Sequence, residues 1–376
     1  MKFRSIYLSA LCGLAVSAAM TSCSDDDEYD PFEYGSKIAL PQHRGYVLNE
    51  GSYKLNNACI SFFDAVADTT TSKEYDLYFV QNGKQLGDTG QDIIEYDDNI
   101  YVVVYGSNYI AKLNKAGVEQ CRHTFAENHG QPRYAAAVDG MIYVTTVGGY
   151  VVRLNANDLS LNADCIVGKA AEQIDEEDGI LYVAIGNAYD GTSKSNKIAI
   201  IDTKNFNDSN VKTVDVMENT QIVVANDNYV AVQGYGAGGW TNTPLWIYNI
   251  KSGKAVDTGE YASYVAEVDG SDKFFCVYSK TDWSTTPYQT TNTYFYYDPA
   301  KNTKEDVTSK IVAFNKDLAS CNIYGVSNGE NGSFYILQAL LYSSGNGTVH
   351  HFTANFTNCK SFTSWGQNPK KIVLVD

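Results

Sequence analysis

A short phrase recurs along this chain, in which turn-forming residues lead directly into an apolar strand. It is clearest at 138–144, where Asp139-Gly140 precedes Met141-Ile142-Tyr143-Val144. Asp-Gly and Asn-Gly pairs tolerate the positive φ that a type I′ turn requires at both central residues. Each copy of the phrase therefore predicts a tight hairpin between two antiparallel strands.

The copies of this phrase align on one aromatic residue each, at Tyr46, Tyr101, Tyr143, Tyr182, Tyr229, Phe274 and Tyr335. Successive aromatic residues are 55, 42, 39, 47, 45 and 61 positions apart. A repeat of roughly 40–45 residues made of short strands is typical of propeller blades. The pattern predicts an all-β protein, a seven-bladed β-propeller that occupies residues 38–376 as one domain.

The two ends of the predicted ring complement each other. Blade one has apolar strands at 46–48 and 58–63 and an expected outer strand at 75–80, but no inner strand of its own. The last apolar stretch, within 366–375, has the pattern of an inner strand that no hairpin follows. Because an unpaired sheet edge is a liability, we predict that the C-terminal strand completes blade one and closes the ring.

In a blade of four antiparallel strands, the repeated hairpins lie on one face of the ring and the longer loops share the opposite face. We call these the hairpin face and the loop face. Exposed aromatic side chains on loops are typical of binding surfaces, although the rings could instead fold back over the propeller rim. The aromatic and large apolar residues of these loops are Tyr53, Tyr189, Tyr235, Trp240, Trp283, Tyr288, Leu340, Leu341 and Tyr342.

One cation stands out at the predicted channel. Arg133 follows Pro132 at the start of an inner strand, where side chains can face the centre of the ring. Its guanidinium offers a fixed fork of donors for an amide, carboxylate or phosphate of a ligand. It could equally link backbone carbonyl groups within the channel, and the sequence leaves both interpretations open.

The N-terminus has the features of an exported lipoprotein. Lys2 and Arg4 precede a short apolar stretch at 6–20, which predicts a signal peptide over residues 1–22. Small residues lead into Cys23, which resembles a bacterial lipobox and makes Cys23 the expected lipidation site; the alternative is an ordinary signal peptide before an unmodified cysteine. The acidic run at 24–28 predicts a solvated tether, which we assign to residues 23–37.

Charge and cysteine usage narrow the range of partners. The formal net charge is −16, and removal of Lys2 and Arg4 with the signal peptide makes it −18. Such a chain repels phosphate backbones, so nucleic acid is not an expected partner. Six cysteines beyond Cys23 are dispersed over the blades without metal-like spacing, which favours buried strand residues over disulfides.

The sequence carries no pattern of catalytic or metal-binding residues. It has no HExxH or GxSxG motif, and His350 and His351 are neighbours on a predicted strand, where adjacent side chains point to opposite faces. Residues 234–239 match GxGxxG, but a loop and a strand follow where a dinucleotide site requires a helix. We therefore expect a protein that is not an enzyme and has neither a metal nor a cofactor.

Four motifs resemble the YncE-like surface lipoprotein propellers of Bacteroides, a resemblance that extends over nearly the whole mature chain. They are VLNEG at 47–51, NGKQLGD at 82–88, YGSN at 105–108 and PRY at 132–134. The start Cys-Ser-Asp-Asp-Asp at 23–27 also resembles the surface-export signal of such lipoproteins. The resemblance implies a lipid-anchored protein of the outer membrane that faces the cell exterior. The chain is most similar to the BtuG-type members, which capture vitamin B12 and pass it to a TonB-dependent transporter of the BtuB type.

This resemblance implies cobalamin or a related corrinoid as cargo and a BtuB-type transporter as partner. Capture of a siderophore or glycan on the same face, or a structural or adhesion propeller with protein partners only, are the alternatives. Asn49 and Tyr105 lie in the family motifs and join Arg133 and the loop aromatic residues. The candidate ligand-binding residues are Asn49, Tyr53, Tyr105, Arg133, Tyr189, Tyr235, Trp240, Trp283, Tyr288 and Tyr342.

Overall fold

The computed structural model describes residues 29–70, 76–236, 243–340 and 345–375. Blade one begins with β1 (Arg44–Asn49) and β2 (Cys59–Asp64), and helix α1 (Leu77–Asn82) follows them. The prediction of an outer strand at 75–80 is wrong. Asp76 caps the helix by accepting a hydrogen bond from the Phe79 amide at 3.2 Å, and Gly83 ends it at a φ of 68°. An aspartate before a segment and a glycine after it favour a helical turn over a strand.

Blades two to four each consist of four antiparallel strands that follow one another from the inner edge to the outer edge. Blade two contains β3 (Gly90–Tyr96), β4 (Asn99–Val104), β5 (Tyr109–Asn114) and β6 (Glu119–Thr124). Blade three contains β7 (Pro132–Val138), β8 (Met141–Thr146), β9 (Tyr150–Asn155) and β10 (Leu161–Ile166). Blade four contains β11 (Ala171–Glu177), β12 (Ile180–Ile185), β13 (Lys197–Asp202) and β14 (Lys212–Asp215).

Blades five to seven repeat this arrangement. Blade five contains β15 (Thr220–Ala225), β16 (Tyr229–Gly234), β17 (Pro244–Asn249) and β18 (Lys254–Tyr261). Blade six contains β19 (Tyr264–Glu267), β20 (Phe274–Asp282), β21 (Gln289–Asp298) and β22 (Thr303–Asp306), and helix α2 (Thr308–Phe314) leads to the next blade. Blade seven contains β23 (Asn322–Asn328), β24 (Phe334–Ala339), β25 (Thr348–Phe352) and β26 (Cys359–Thr363).

The C-terminal strand β27 (Pro369–Val375) is the inner strand of blade one, as the sequence predicts. It pairs antiparallel with β1, where Tyr46 lies opposite Val373, and it neighbours β23 on one side and β3 on the other. The ring is therefore closed by hydrogen bonds between the two ends of the chain. Its seven inner strands surround a central channel, and the protein is a seven-bladed β-propeller.

The predicted turns close the inner hairpins of blades two, three and four. Both central residues have positive φ at Asp97-Asp98 (50° and 60°), Asp139-Gly140 (50° and 75°) and Asp178-Gly179 (51° and 78°), as type I′ turns require. The copy at Asn226 differs, because its side-chain Oδ1 accepts hydrogen bonds from the amides of Asn228 and Tyr229 at 3.2 and 2.9 Å. The asparagine side chain thus accepts the hydrogen bond that the backbone carbonyl accepts in the other turns, while the Asn226 amide still donates to the Tyr229 carbonyl at 2.9 Å.

In blades one, two and three, the repeated aromatic residue contacts the following blade. The Tyr101 hydroxyl donates to the Ala156 carbonyl of blade three at 2.7 Å, and the Tyr46 hydroxyl donates to the Lys115 carbonyl of blade two. The Tyr143 ring meets Phe206 of blade four edge-on, with 5.4 Å between the ring centroids. Packing between neighbouring blades is therefore the physical reason for the repeat.

The six cysteines at 59, 121, 165, 276, 321 and 359 are all free, and Cys165 and Cys276 are fully buried on strands. Cys23 lies outside the described residues. Among the helices that the structure describes, none has the length and hydropathy needed to cross a membrane.

Residues 29–43 pack against the hairpin ends of blades one and two. Glu33 forms an ion pair with the buried Arg44, and the Tyr34 carbonyl accepts a hydrogen bond from Asn114 at 2.9 Å. The Lys37 amide donates to the Gln81 side chain at 2.9 Å. The described part of the predicted tether, residues 29–37, thus contacts the propeller, and the chain enters the ring from the hairpin face.

Candidate functional site

The central channel opens on the loop face between the first residues of the inner strands. It encloses a cavity of about 390 Å³ that all seven inner strands line. The wall at the loop-face end carries Gln91, Tyr134, Tyr264, Tyr324 and Lys370. We call this end the channel mouth, and it is the candidate ligand-binding site.

Arg133 lies at the channel mouth and joins three blades. Its Nε and Nη2 donate to Oε2 of Glu172 in blade four at 2.9 and 2.7 Å, and its Nη1 donates to Oε1 of Gln91 in blade two at 3.1 Å. Burial alone would lower the pKa of Arg133, but the Glu172 carboxylate outweighs that effect and raises it. The arginine therefore links side chains of neighbouring blades, and its partners are not the backbone carbonyl groups that the structural interpretation of the sequence predicts.

Several tyrosines surround this ion pair. The Tyr189 hydroxyl points inward and donates to Oε1 of Glu172 at 2.5 Å, while the residue as a whole remains 61% exposed on the β12–β13 loop. The Arg133 guanidinium lies 5.4 Å from the ring centroid of Tyr105 and 5.5 Å from that of Tyr134. Burial, followed by the negative charge of Glu172, raises the pKa of Tyr189, so its hydroxyl keeps its proton.

Tyr235 belongs to the same neighbourhood. Burial, together with the nearby Tyr134 and Glu172, raises the pKa of its hydroxyl. The structure thus brings together four of the predicted residues, Tyr105, Arg133, Tyr189 and Tyr235. They come from blades two, three, four and five, which the sequence alone separates by up to 130 residues.

Two further ion pairs extend the network around the mouth. Lys370 Nζ lies 2.5 Å from a Glu50 carboxylate oxygen, and the other oxygen of Glu50 accepts a hydrogen bond from the Tyr324 hydroxyl at 2.9 Å. Lys371 Nζ lies 2.7 Å from Oδ1 of Asp92. Each cation of the mouth therefore has its own carboxylate partner.

The hairpin end of the channel has a different character. Asp175, Glu176 and Glu267 line it, and burial raises the pKa of Asp175 to about 6. The pKa of the neighbouring Glu177 is raised to about 7, first by burial and then by the carboxylates of Asp227, Asp178, Glu176 and Glu267. Negative charge therefore accumulates at the end of the channel that is remote from Arg133.

Exposed aromatic pairs extend from the loop face beside blades five and six. Trp283 and Tyr288 lie at the tip of the long β20–β21 hairpin, 54% and 52% exposed, and meet edge-on at 5.0 Å between centroids. Near its base, Tyr261 of blade five stacks on Tyr278 of blade six at 5.6 Å. Tyr53 is 63% exposed on the β1–β2 loop. These rings do not fold back into the core and form a rim that a ligand or partner can reach.

The remaining predicted residues fall elsewhere. Asn49 is fully buried, and its Nδ2 donates to Val47, Ser61 and Ser364 at 3.1–3.3 Å, so its side chain stabilises blade one and does not face the channel mouth. Trp240 and Tyr342 lie outside the described residues.

Sequence reasoning missed Gln91, Glu172, Glu50 and Lys370. Gln91, Arg133, Glu172 and Lys370 share one position, the second residue of an inner strand. Counting back from each repeated hairpin to the start of its inner strand would have placed Gln91 and Glu172 beside Arg133. Glu50 follows a different strand, and no comparable pattern marks it.

Comparison with known proteins identifies the fold. No family model and no curated protein matches the chain. Virginiamycin B lyase from Staphylococcus aureus is similar in structure, with 10% identity and a TM-score of 0.52 over 72% of this chain and 83% of that one. A streptogramin B lyase structure has 9% identity and a TM-score of 0.52, covering 87% and 91% of the two chains. The RRP9 WD40 repeats have 10% identity and the same TM-score over 73% and 80%.

At this level of identity the likeness concerns the fold alone. The chain is a propeller protein. Within the described ranges, no group of three or more His, Cys, Asp or Glu side chains is placed to hold a metal ion.

Proposed function

We propose that this protein captures cobalamin or a related corrinoid on its loop face and releases it unchanged to a TonB-dependent transporter of the outer membrane. The observation that carries the proposal is the convergence of Arg133, Tyr105, Tyr189 and Tyr235 at the channel mouth, beside a rim of exposed aromatic rings. A wide, rigid ligand edged with amides and carrying an aromatic base suits this combination of polar centre and apolar rim.

The channel mouth is held in place before any ligand arrives. Arg133 joins blades two, three and four, and Lys371 and Asp92 join blade one to blade two. The Asp92 carboxylate also accepts a hydrogen bond from the Ala135 amide of blade three at 2.9 Å. A rigid ligand that binds where the strands are already held in place loses little conformational entropy beyond the adjustment of single side chains, and this favours high affinity.

The path of the N-terminal segment supports a cell-surface role. Because residues 29–43 join the ring from the hairpin face, a lipid on Cys23 would attach the propeller by the face opposite its aromatic rim. Nutrients arriving from outside would then meet the loop face first. In this proposal the protein is a surface lipoprotein, and transfer requires the transporter to reach the loop face.

The same rim could hold another cargo. Exposed pairs such as Trp283 with Tyr288 also suit the faces of sugar rings or the catechol groups of a siderophore. Equilibrium dialysis of the protein from residue 29 onward against cyanocobalamin, a ferric catecholate siderophore and mixed oligosaccharides tests the choice. We expect retention of cyanocobalamin at one molecule per protein. Retention of a different cargo would overturn the corrinoid assignment, and retention of none would favour a structural or adhesion propeller.

A further inference from the structure

We infer that the channel mouth recognises a neutral carboxamide of the ligand through the side-chain amide of Gln91. This inference rests on the proposed function, since it names the chemical group that the captured molecule places at the mouth. It assigns a role to a residue that neither the sequence motifs nor the aromatic rim identifies.

Gln91 is the second residue of β3 and lines the channel, with only 3% of its surface exposed. Its Oε1 accepts a hydrogen bond from Nη1 of Arg133 at 3.1 Å. Rotating the amide by 180° would set its NH₂ group against the guanidinium, donor against donor, so Arg133 fixes the orientation. The NH₂ group must therefore find an acceptor elsewhere.

Among the residues that the structure describes, Nε2 of Gln91 has no hydrogen-bond acceptor. Gln173, which lines the same channel two blades further on, shows the usual arrangement, because its Nε2 donates to the Val223 carbonyl at 3.0 Å. A buried donor without a partner destabilises the fold, and such groups tend to be retained where a ligand or a water supplies the partner. Nε2 is closed off from bulk solvent, so binding must rotate a side chain at the mouth, a common change at binding sites.

The charges at the mouth favour a neutral acceptor over an anion. Arg133 is paired with Glu172, Lys370 with Glu50 and Lys371 with Asp92, each within 2.7 Å. Within the described part of the mouth, three cations matched by three carboxylates leave no excess positive charge for a free carboxylate or phosphate. The acidic groups at the other end of the channel, including Asp175 and Glu267, add repulsion for an anion. A carbonyl oxygen can accept from Gln91 without this electrostatic cost.

The test compares cyanocobalamin with a derivative in which one peripheral amide is hydrolysed to the acid, by titration calorimetry. We expect at least one such monoacid to bind about tenfold more weakly than cyanocobalamin. A loss of affinity of this size is expected because the acid loses one hydrogen bond with Gln91 and is repelled by the nearby carboxylates. Gln91→Glu keeps an acceptor for Arg133 but loses the donor, and we expect it to bind cyanocobalamin about tenfold more weakly. Unchanged binding by Gln91→Glu would overturn the inference.

Gln173→Glu is the matched control, because it places the same charge in the same channel at an amide that is already paired. It should retain the preference for the amide over the acid, and an equal effect of both variants would show that added charge, not the donor, is responsible. Circular dichroism melts of each variant establish that the ring is folded.

A second probe separates failure of this inference from failure of the proposed function. If the wild-type protein does not bind cyanocobalamin, the corrinoid proposal fails, but propionamide still tests Gln91. Propionamide at high concentration should shift the ¹⁵N side-chain resonance of Gln91, identified by its loss in Gln91→Glu, while propionate should leave it in place. Equal shifts with both compounds, or none with propionamide, would overturn the inference.

Discussion

Nη2 of Arg133 and Oε2 of Glu172 lie 2.7 Å apart, joining blade three to blade four at the channel mouth. Glu172 is almost fully buried and also receives the Tyr189 hydroxyl through its other oxygen. One carboxylate thus positions both a cation and an exposed aromatic ring. The organisation of the candidate site depends on it.

Replacing Glu172 by glutamine should therefore loosen the channel mouth and destabilise the fold. Arg133 would keep a weak hydrogen-bond acceptor but lose its negatively charged partner in a largely buried environment. This loss should lower the free energy of unfolding by about 1–3 kcal/mol. Urea denaturation measures the change. Asp215→Asn, which removes the partner of an exposed pair with Lys197 at 3.9 Å, should behave as wild type. A Glu172→Gln protein as stable as wild type would contradict this account.

Closure of the ring by β27 gives a second prediction. Ile372 is 4% exposed in the core between blades seven and one, and its amide donates to Ser327 at 3.0 Å. Ile372→Ala should lower the free energy of unfolding by about 2–4 kcal/mol, through lost burial and an incompletely filled cavity. Val256→Ala, at a 60% exposed position of an outer strand, serves as the comparison and should have little effect. If both variants unfold at the same denaturant concentration, the terminal strand does not hold the ring together.

Two carboxyl groups at the hairpin end of the channel should make stability depend on pH. Folding raises the pKa of Glu177 to about 7 and of Asp175 to about 6, chiefly through burial, so the folded protein binds protons more readily than the unfolded chain. The stability gained in this way is present at low pH and is lost as the pH rises through these values. The contribution of these two carboxyl groups to the free energy of unfolding should thus increase from about pH 7.5 to about pH 5, while the buried His350, whose pKa burial lowers to about 4, acts in the opposite direction.

Glu177→Gln tests the source of this pH dependence. The side chain faces the carboxylates of Asp227, Asp178, Glu176 and Glu267, so removing its charge should raise stability at neutral pH and flatten the profile. Glu119 should not contribute within this range. Burial would raise the pKa of Glu119, but hydrogen bonds from Arg122, Tyr78 and Lys84 lower it to about 2. A profile as steep in the variant as in wild type would place the titrating groups elsewhere.

Much of the fold is predictable from local sequence. Asp-Gly turns and the repeated aromatic residue specify the hairpins, because their conformational preferences act within a few residues. Ring closure is predictable too, since the missing inner strand of blade one and the extra strand at the C-terminus require each other. The strand prediction at helix α1 is wrong because the continuous apolar run at 77–80 resembles a strand, while Asp76 and Gly83 act as helix caps.

The candidate site is only partly predictable, because its contacts join distant residues. Arg133 is recognisable from its position after Pro132, but its partners Gln91 and Glu172 lie 42 and 39 residues away on other blades. Asn49 lies in the VLNEG motif at 47–51, yet its amide turns inward to Ser364, 315 residues away. A motif identifies a residue as special without indicating whether the side chain faces a ligand or the core.

The central claim is that the ligand binds on the loop face, and titration calorimetry with cyanocobalamin on three proteins tests it most directly. Trp283→Ala removes an exposed ring at the loop-face rim, and Phe32→Ala removes an equally exposed ring, 52% accessible, from the segment at the hairpin face. We predict one-to-one binding by wild type and Phe32→Ala, and affinity about tenfold lower in Trp283→Ala. Absence of binding by the wild-type protein, or loss of affinity in Phe32→Ala alone, would contradict the account.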